Sequence, residues 1–457
     1  MTTVGEEKSS EVWRVLIVRR NRDEMLLGTD GTKFALPLIS IPAHERIAAN
    51  INRVVEEELG LHVVSLYEVF PGDQKRPAEI FYHAAVTAQS RESTPEGMYW
   101  TCVRSLNASS FSCHDDFAAI ESFRSGLESK RRTADPFLKP NWFAGVTCWV
   151  EESLRRHSRQ LTGPFQQLNA SSTFSLIRFE TDKTPVWFKA VGTPNIQEFP
   201  VTLALARVCP AFLSKILASK TEWNAWLAEE APGTSLSSGA EICQWESAAA
   251  SLAHLQILAL PAAEEMCTAG ARDLRSLHLF SLVAPFFEFL AECSRESQLQ
   301  DLDGFGSRDF HELGAATQDT LTALDKLHLA ESIGHMDLNP QNVFCAGKDC
   351  VFLDWAEAFV GCPFFSFEYL LQQFRQVFSS QSSLEARLRH AYVDPWRGFL
   401  SSSATETALD LCRLAALFAY AATLWSSSAA RGSLSLAQHG YLLRLARKMR
   451  RLIKVCP

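Results

Sequence analysis

His335-Met336-Asp337-Leu338-Asn339-Pro340-Gln341-Asn342, followed by the apolar run Cys350-Val351-Phe352-Leu353 and then Asp354-Trp355, is the stretch on which the reading of this 457-residue chain turns. The five-residue step from Asp337 to Asn342 is a tight loop in which both side chains reach one cleft, with Pro340 helping to fix the turn. The apolar run reads as a short buried strand that returns Asp354 to the same place. Phosphoryl transfer to a hydroxyl asks for a carboxylate beside the incoming oxygen and for oxygen ligands that hold a magnesium ion over the nucleotide phosphates. The spacing therefore predicts Asp337 as the group facing the acceptor hydroxyl and Asn342 and Asp354 as metal ligands, with His335 bracing the loop by hydrogen bonds. The competing reading is a solvated acidic turn followed by a chance Asp-Trp.

These two motifs resemble the aminoglycoside phosphotransferase family, a branch of the protein-kinase-like fold whose signature is a His-x-Asp-x-x-x-x-Asn loop and a later Asp-Trp. Gly361-Cys362-Pro363-Phe364-Phe365 is similar to the segment that follows the metal aspartate in that family, and the resemblance spans residues 142–457. It implies an α+β, bilobal domain with a small β-rich lobe over about 142–230 and a larger α-helical lobe over about 231–457. It also implies ATP and Mg2+ as cofactors and a small-molecule acceptor with a hydroxyl. Met336 departs from the pattern, standing where the family often has Gly and protein kinases have Arg. Without that arginine, regulation by activation-loop phosphorylation is not expected.

A small lobe needs strands upstream, and residues 174–180 and 186–190 alternate as two strands around the turn Thr181-Asp182-Lys183-Thr184-Pro185. Lys189 then lies on a strand, and Glu198 opens an apolar helix interrupted early by Pro200. By resemblance the pair matches the family's phosphate-positioning lysine and its helix glutamate. An ordinary edge-strand lysine and a helix-start glutamate favoured by the macrodipole explain the same residues. No glycine-rich pattern precedes Lys189, so Ser171 and Ser172 within 169–173 are the nearest candidates for contacting phosphate, or else a plain polar turn. Residues 226–230, including Glu229, resemble the interlobe hinge that would pair with adenine, the alternative being a core strand with an exit turn.

Upstream, residues 125–141 are polar, charged and breaker-containing, which predicts a linker after an N-terminal domain over 1–124. Three strand-type runs precede a helix over about 43–59 closed by Gly60 as a C-terminal cap. The last turns, Arg53-Val54-Val55-Glu56-Glu57-Glu58-Leu59-Gly60-Leu61, resemble the Nudix box, with Glu45 at the expected distance before Arg53. That implies an α/β/α sandwich and metal-assisted hydrolysis of nucleoside diphosphate derivatives. Ile39 replaces the glycine that opens the box, and Val54 replaces one glutamate. Glu57 and Glu58 remain as a residual metal site, but fewer anionic oxygens hold a hard cation more weakly. The expectation is a degenerate Nudix-like domain, its glutamates otherwise the solvated face of an amphipathic helix.

The length exceeds what one core organises, and 47% hydrophobic content suits packed domains. A formal charge of -8 argues against broad nucleic-acid or anionic-membrane binding. The 12 cysteines show no Cys-x-x-Cys pairing, which predicts neither a zinc site nor a disulfide framework but free thiols in a reducing cytoplasm. No charged-then-apolar leader opens the chain, and the apolar stretch 414–425 is too short for a membrane span. The serine clusters at 379–383 and 401–403 read as interhelical loops. The sequence supports an ATP- and Mg2+-dependent small-molecule kinase. Its rivals are a nucleotide-binding pseudokinase without turnover and a Nudix-type hydrolase, and oligomeric state is not legible.

Overall fold

The computed structural model describes residues 10–455 apart from 21–22, 44–45, 73–79, 89–93, 129–138, 140, 172, 238, 297–305, 379–380 and 430–434. The chain divides into two compact units, Met1–Phe199 with Lys215–Glu230, and Pro200–Ser214 with Ala231–Pro457.

The first unit begins with β1 (Ser10–Val18), β2 (Glu24–Asp30), β3 (Lys33–Ala35), β4 (Leu38–Pro42), α1 (Ile47–Leu59), β5 (Val63–Glu68), β6 (Ile80–Thr87), β7 (Met98–Cys102) and α2 (His114–Glu128). The described strands form one mixed sheet in the order β3-β2-β1-β6-β5, with β4 added to β1 and β7 to β2, and with β1 and β6 parallel. Alternation along β1 sends Trp13, Val15 and Ile17 into a cluster with Ile51, Val54 and Val55 of α1. Leu16 and Val18 point the other way and pack with Ile120 and Phe123 of α2. Gly60 caps α1 at φ 65°, its N–H donating to the Glu56 carbonyl at 3.0 Å, as the sequence predicts. The helix starts at Ile47, a turn later than expected, and Glu45 lies outside the described residues.

Of the predicted linker, residues 125–128 continue α2 as helix, while 129–138 and 140 lie outside the described residues. The unit continues with α3 (Trp142–Arg156), β8 (Leu161–Ala170), β9 (Phe174–Thr181), β10 (Val186–Val191), α4 (Glu198–Val208), β11 (Ile216–Lys220) and β12 (Ala225–Glu229). The five strands pair in the order β11-β12-β10-β9-β8, with Lys189 opposite Leu176 and Trp226. Pro200 falls in the first turn of α4, where its missing N–H has no intrahelical partner to lose, so the helix is not interrupted there. Only the first two residues of α4 group with this unit.

The two sheets of this unit share one hydrophobic core. Leu16, Val64 and Tyr67 of the first sheet cluster with Trp142 and Val146 of α3 and with Ile177, Phe179 and Phe188 of the second. A polar clasp accompanies it: buried Gln167 of β8 accepts from the Ser65 N–H at 2.8 Å and from Asn52 at 3.1 Å, and donates to the Ser65 carbonyl at 2.9 Å.

The second unit carries β13 (Thr234–Ser235), α5 (Ile242–Ala259), α6 (Ala263–Ala269), β14 (Arg272–Leu274), α7 (Ser276–Glu296), α8 (Ser307–Asp325), β15 (Ser332–His335), β16 (Val343–Ala346), β17 (Asp349–Phe352), β18 (Ala358–Gly361), α9 (Phe364–Val377), α10 (Ser382–Val393), α11 (Ser402–Ala429) and α12 (Leu436–Val455). Two small sheets, β13-β16-β17 and β14-β18-β15, sit among these helices. The apolar stretch 414–425 lies toward the C-terminal end of the 28-residue α11, which extends 12 residues before it and four after it. Segments Ser276–Ser294 and Ser402–Ser427 are both long and apolar enough to cross a membrane by length and composition, and 67% of the second's apolar window is buried inside the protein. Phe418 and Ala415 of α11 pack in the large core with Phe286 and Phe287 of α7, which accounts for the apolarity of this helix without a bilayer. Of the serine cluster at 379–383, residues 379 and 380 lie outside the described residues and Ser382 opens α10.

The expectation of free thiols fails at Cys345 and Cys350, which form a disulfide. They are directly opposed in the β16–β17 hairpin, whose turn carries Gly347 at φ 66°. The sequence has no Cys-x-x-Cys spacing, and a five-residue separation becomes meaningful only once the hairpin register is known. Cys209, Cys362 and Cys412 are among the free cysteines.

Candidate active site

β15 is fully buried and ends at His335, so the residues that follow it emerge at a fixed place. Close approach sets this strand: a Cβ on Gly334 would lie 2.1 Å from the ring of Phe359 on the neighbouring β18. His335 has no exposed surface, and its backbone N–H donates to Ser366 Oγ at 2.8 Å. Its ring Nδ1 accepts the Asp337 N–H at 3.1 Å, which leaves the proton on Nε2 to be donated to the Leu353 carbonyl at 2.9 Å. The histidine therefore ties the loop to the segment before Asp354, the bracing role expected of it. Trp355 packs on the imidazole with ring centroids 4.8 Å apart.

Asp337 is exposed, and its carboxylate accepts from Asn339 Nδ2 at 3.1 Å and from Asn342 Nδ2 at 3.3 Å. Asn342 also donates to the Asp337 carbonyl at 3.0 Å. Asn339 in turn accepts the Gln341 N–H at 2.9 Å, an Asx turn that starts the helical bend at Pro340. β16 leaves from Asn342 and β17 returns with Val343 opposite Phe352, while the Leu353 N–H donates to the Asn342 carbonyl at 2.8 Å. The hairpin thus brings the segment bearing Asp354 back beside Asn342. Asp354 adopts φ 64°, a left-handed conformation uncommon outside glycine that aspartate takes more readily than most residues.

Asn342 spends its amide N–H groups on Asp337, which directs its side-chain oxygen elsewhere, and Asp354 supplies a carboxylate. A carboxylate and a carboxamide oxygen are hard donors suited to Mg2+, which completes its shell with phosphate oxygens and water rather than with a protein cage. Among the described residues no group of three or more His, Cys, Asp and Glu is placed to hold a metal.

In the first unit, Lys189 Nζ lies 2.5 Å from Glu198 Oε1, and Glu198 is only 2% exposed. The Trp226 ring lies 5.7 Å from the same ammonium, a cation–π neighbour not anticipated from the sequence. Ser171 closes the β8–β9 turn on itself, its Oγ accepting the N–H groups of Thr173 at 3.1 Å and Phe174 at 3.2 Å. That use of the hydroxyl matches the polar-turn reading, and Ser172 lies outside the described residues. Glu229 ends β12 and pairs with Arg159 at 2.5 Å and Lys215 at 3.2 Å. The backbone N–H groups of Glu229 and Glu230 already donate to Lys215 and Pro185 carbonyls at 2.9 Å each, so neither is offered to a base.

On α1, Glu57 and Glu58 are exposed, and Glu57 pairs with Arg53 at 2.7 Å. Val54 is 5% exposed and packs in the core with Trp13.

A cavity of about 400 Å³ in the second unit has Asp337 in its lining, together with Gln372, Gln373 and Gln376 of α9 and Thr423 of α11. These residues are not legible in the sequence, because nothing in their spacing points to a loop 35 to 86 residues upstream.

A family model described as "Phosphotransferase enzyme family" matches residues 199–400. No curated protein matches the chain. Among solved structures, a choline/ethanolamine kinase family protein from Mesorhizobium loti aligns at 12% identity and TM-score 0.45, covering 68% of this chain and 95% of its own. A macrolide 2'-phosphotransferase from Brachybacterium faecium aligns at 16% identity and TM-score 0.45, covering 66% and 97%.

Proposed function

We propose, starting from a segment matched by a phosphotransferase family, that the chain transfers the γ-phosphoryl group of ATP to a hydroxyl of a small molecule. The observation that carries this reading is the loop itself, in which buried His335 fixes the Asp337 N–H and the segment preceding Asp354 in one step. A histidine spent on two backbone groups is a structural brace, and it leaves Asp337 as the exposed carboxylate of the loop. Asp337 would orient the acceptor hydroxyl and take its proton, while its bonds from Asn339 and Asn342 hold the carboxylate in place. Asn342 and Asp354 would hold Mg2+, which neutralises charge on the phosphates when bound. Lys189, oriented by Glu198, would position phosphate oxygens.

The Nudix-like N-terminal domain would serve this kinase without hydrolysing anything. Support for that comes from Val54 in the core, from Glu57 paired to Arg53, and from the clasp at Gln167.

Two measurements test the reading together. The melting temperature is compared with and without ATP and Mg2+ in the native chain and in Asp354→Ala, since ligand at about 100 times its dissociation constant stabilises the folded state by roughly 2.7 kcal/mol. The stabilisation is expected in the native chain and greatly reduced in the variant. Asp337→Ala should keep the nucleotide-dependent shift and lose acceptor-dependent ADP release by a thousandfold or more, roughly the upper range for a general base. Undiminished turnover in Asp337→Ala removes the assignment, and no shift in the native chain favours a scaffold without nucleotide.

A further inference from the structure

The cavity beside Asp337 has the size of a small-molecule site, at about 400 Å³. Its chemistry is unusually neutral. Gln372, Gln373 and Gln376 all come from α9, and their spacing sets them on adjoining positions of one helix face. Each carboxamide both donates and accepts a hydrogen bond and carries no charge. From α11 the cavity receives Thr423, which is 7% exposed and whose hydroxyl has no hydrogen-bond partner among the described residues. A helical threonine usually satisfies its hydroxyl on the carbonyl one turn back, as Thr317 and Thr320 do in α8. A buried hydroxyl left unpaired costs stability unless something entering the cavity pairs with it.

The charged lining residues cancel. Arg272 lies 2.6 Å from Glu357 and donates a second N–H to Ser427 at 2.8 Å. The remaining lining charges are Asp337 and the exposed Lys448, one of each sign. Tyr420 adds an aromatic face, and burial together with its bond to Tyr441 pushes its hydroxyl far above the usual tyrosine range, so it stays neutral. A polycation would meet Lys448 and a single carboxylate that has its own task. A quaternary ammonium could use the aromatic rings but would leave the buried Thr423 hydroxyl unpaired and make no use of the half-buried Gln372 and Gln373 or the exposed Gln376, so it fits this lining less well than a hydroxyl-bearing ligand.

We propose that the acceptor is a neutral, hydroxyl-rich molecule of the sugar or cyclitol class, held by Gln372, Gln373, Gln376 and Thr423 with one hydroxyl presented to Asp337. This rests on the phosphotransferase reading. The acceptor oxygen forms the new bond to the γ-phosphorus as the bond to the β,γ-bridging oxygen breaks. ADP leaves with that electron pair, and the hydroxyl proton passes to Asp337. The carboxamides act as positioning and specificity residues, and they make no bond to the transferred group.

The test titrates the full chain, in ADP and Mg2+, with D-glucose, myo-inositol and sorbitol as neutral probes and with kanamycin, choline and glucose 6-phosphate as charged ones. Ligand-observed NMR or calorimetry reads the binding. At least one neutral probe should bind saturably and tenfold or more tighter than every charged probe. Gln376→Leu and Thr423→Val should each weaken it by tenfold or more while the stabilisation by ATP and Mg2+ is unchanged, which separates a lost contact from a lost fold. Tighter binding of any charged probe overturns the proposal, as does absence of saturable neutral binding in a chain that ATP and Mg2+ still stabilise. A native chain that ATP and Mg2+ do not stabilise overturns both this proposal and the phosphotransferase reading beneath it.

Discussion

Lys189 and Glu198 set a stability problem as well as a catalytic one, because a carboxylate that is 2% exposed depends on its ammonium partner. Removing one member of a buried pair costs roughly 3–5 kcal/mol, while removing both with residues of similar shape costs far less. Lys189→Met should therefore lower the urea midpoint sharply, and the double variant Lys189→Met/Glu198→Gln should recover much of that loss without recovering stabilisation by ATP. A double variant as unstable as the single one would show that the pair is not the source of the cost. His83 makes a second prediction. It is 2% exposed, neither ring nitrogen has a hydrogen-bond partner among the described residues, and burial lowers its pKa to about 3. Between about pH 6.5 and 3 the unfolded chain binds a proton that the folded chain refuses, so this residue makes stability fall as pH drops through that window. The slope is at most about 1.4 kcal/mol per pH unit. Replacing His83 with Phe should flatten the dependence of the urea midpoint between pH 7 and pH 5, and an unchanged slope would place the acid sensitivity elsewhere. That Asp337, Asn342 and Asp354 lie near one another was readable in the sequence, because one loop and one hairpin join them. Gln376 and Thr423 were not readable, since only the packing of α9 and α11 gives them a common cavity.

Elements carry the next set of constraints. β15 and β18 approach so closely at Gly334 that any side chain there meets the ring of Phe359, itself without exposed surface. Gly334→Ala is expected to destabilise by about 1–3 kcal/mol or more through overpacking. It should also lower turnover, because the displaced strand carries His335 and the loop beyond it. Adding Phe359→Leu should restore part of the stability, and an unaffected single variant would contradict the tight approach. The sequence predicted the strand that delivers Asp354 from the apolar run 350–353, and it predicted the Gly60 cap from one residue, whereas β15 and β18 were not anticipated. It placed the start of α1 directly after Pro42, a turn before the helix begins at Ile47.

At the scale of the whole molecule, the N-terminal sheet and the β-rich lobe behave as one body. Trp142 and Val146 pack in the same core as Leu16 and Tyr67, and Gln167 is satisfied by Ser65 and Asn52. Composition and linker signals suggested separable domains because they report local polarity and carry no information about which apolar faces meet. A chain beginning at Trp142 should therefore expose much of that core and aggregate or unfold at markedly lower temperature than the full chain. Size-exclusion chromatography and a melting curve check this, and a monomer with the native melting temperature would show that the core divides cleanly. The disulfide in the β16–β17 hairpin leaves a different kind of trace. Its formation makes the chain lighter by a pair of hydrogens, so an intact-mass spectrum of protein trapped with a thiol-blocking reagent at lysis reads out how oxidising its surroundings were.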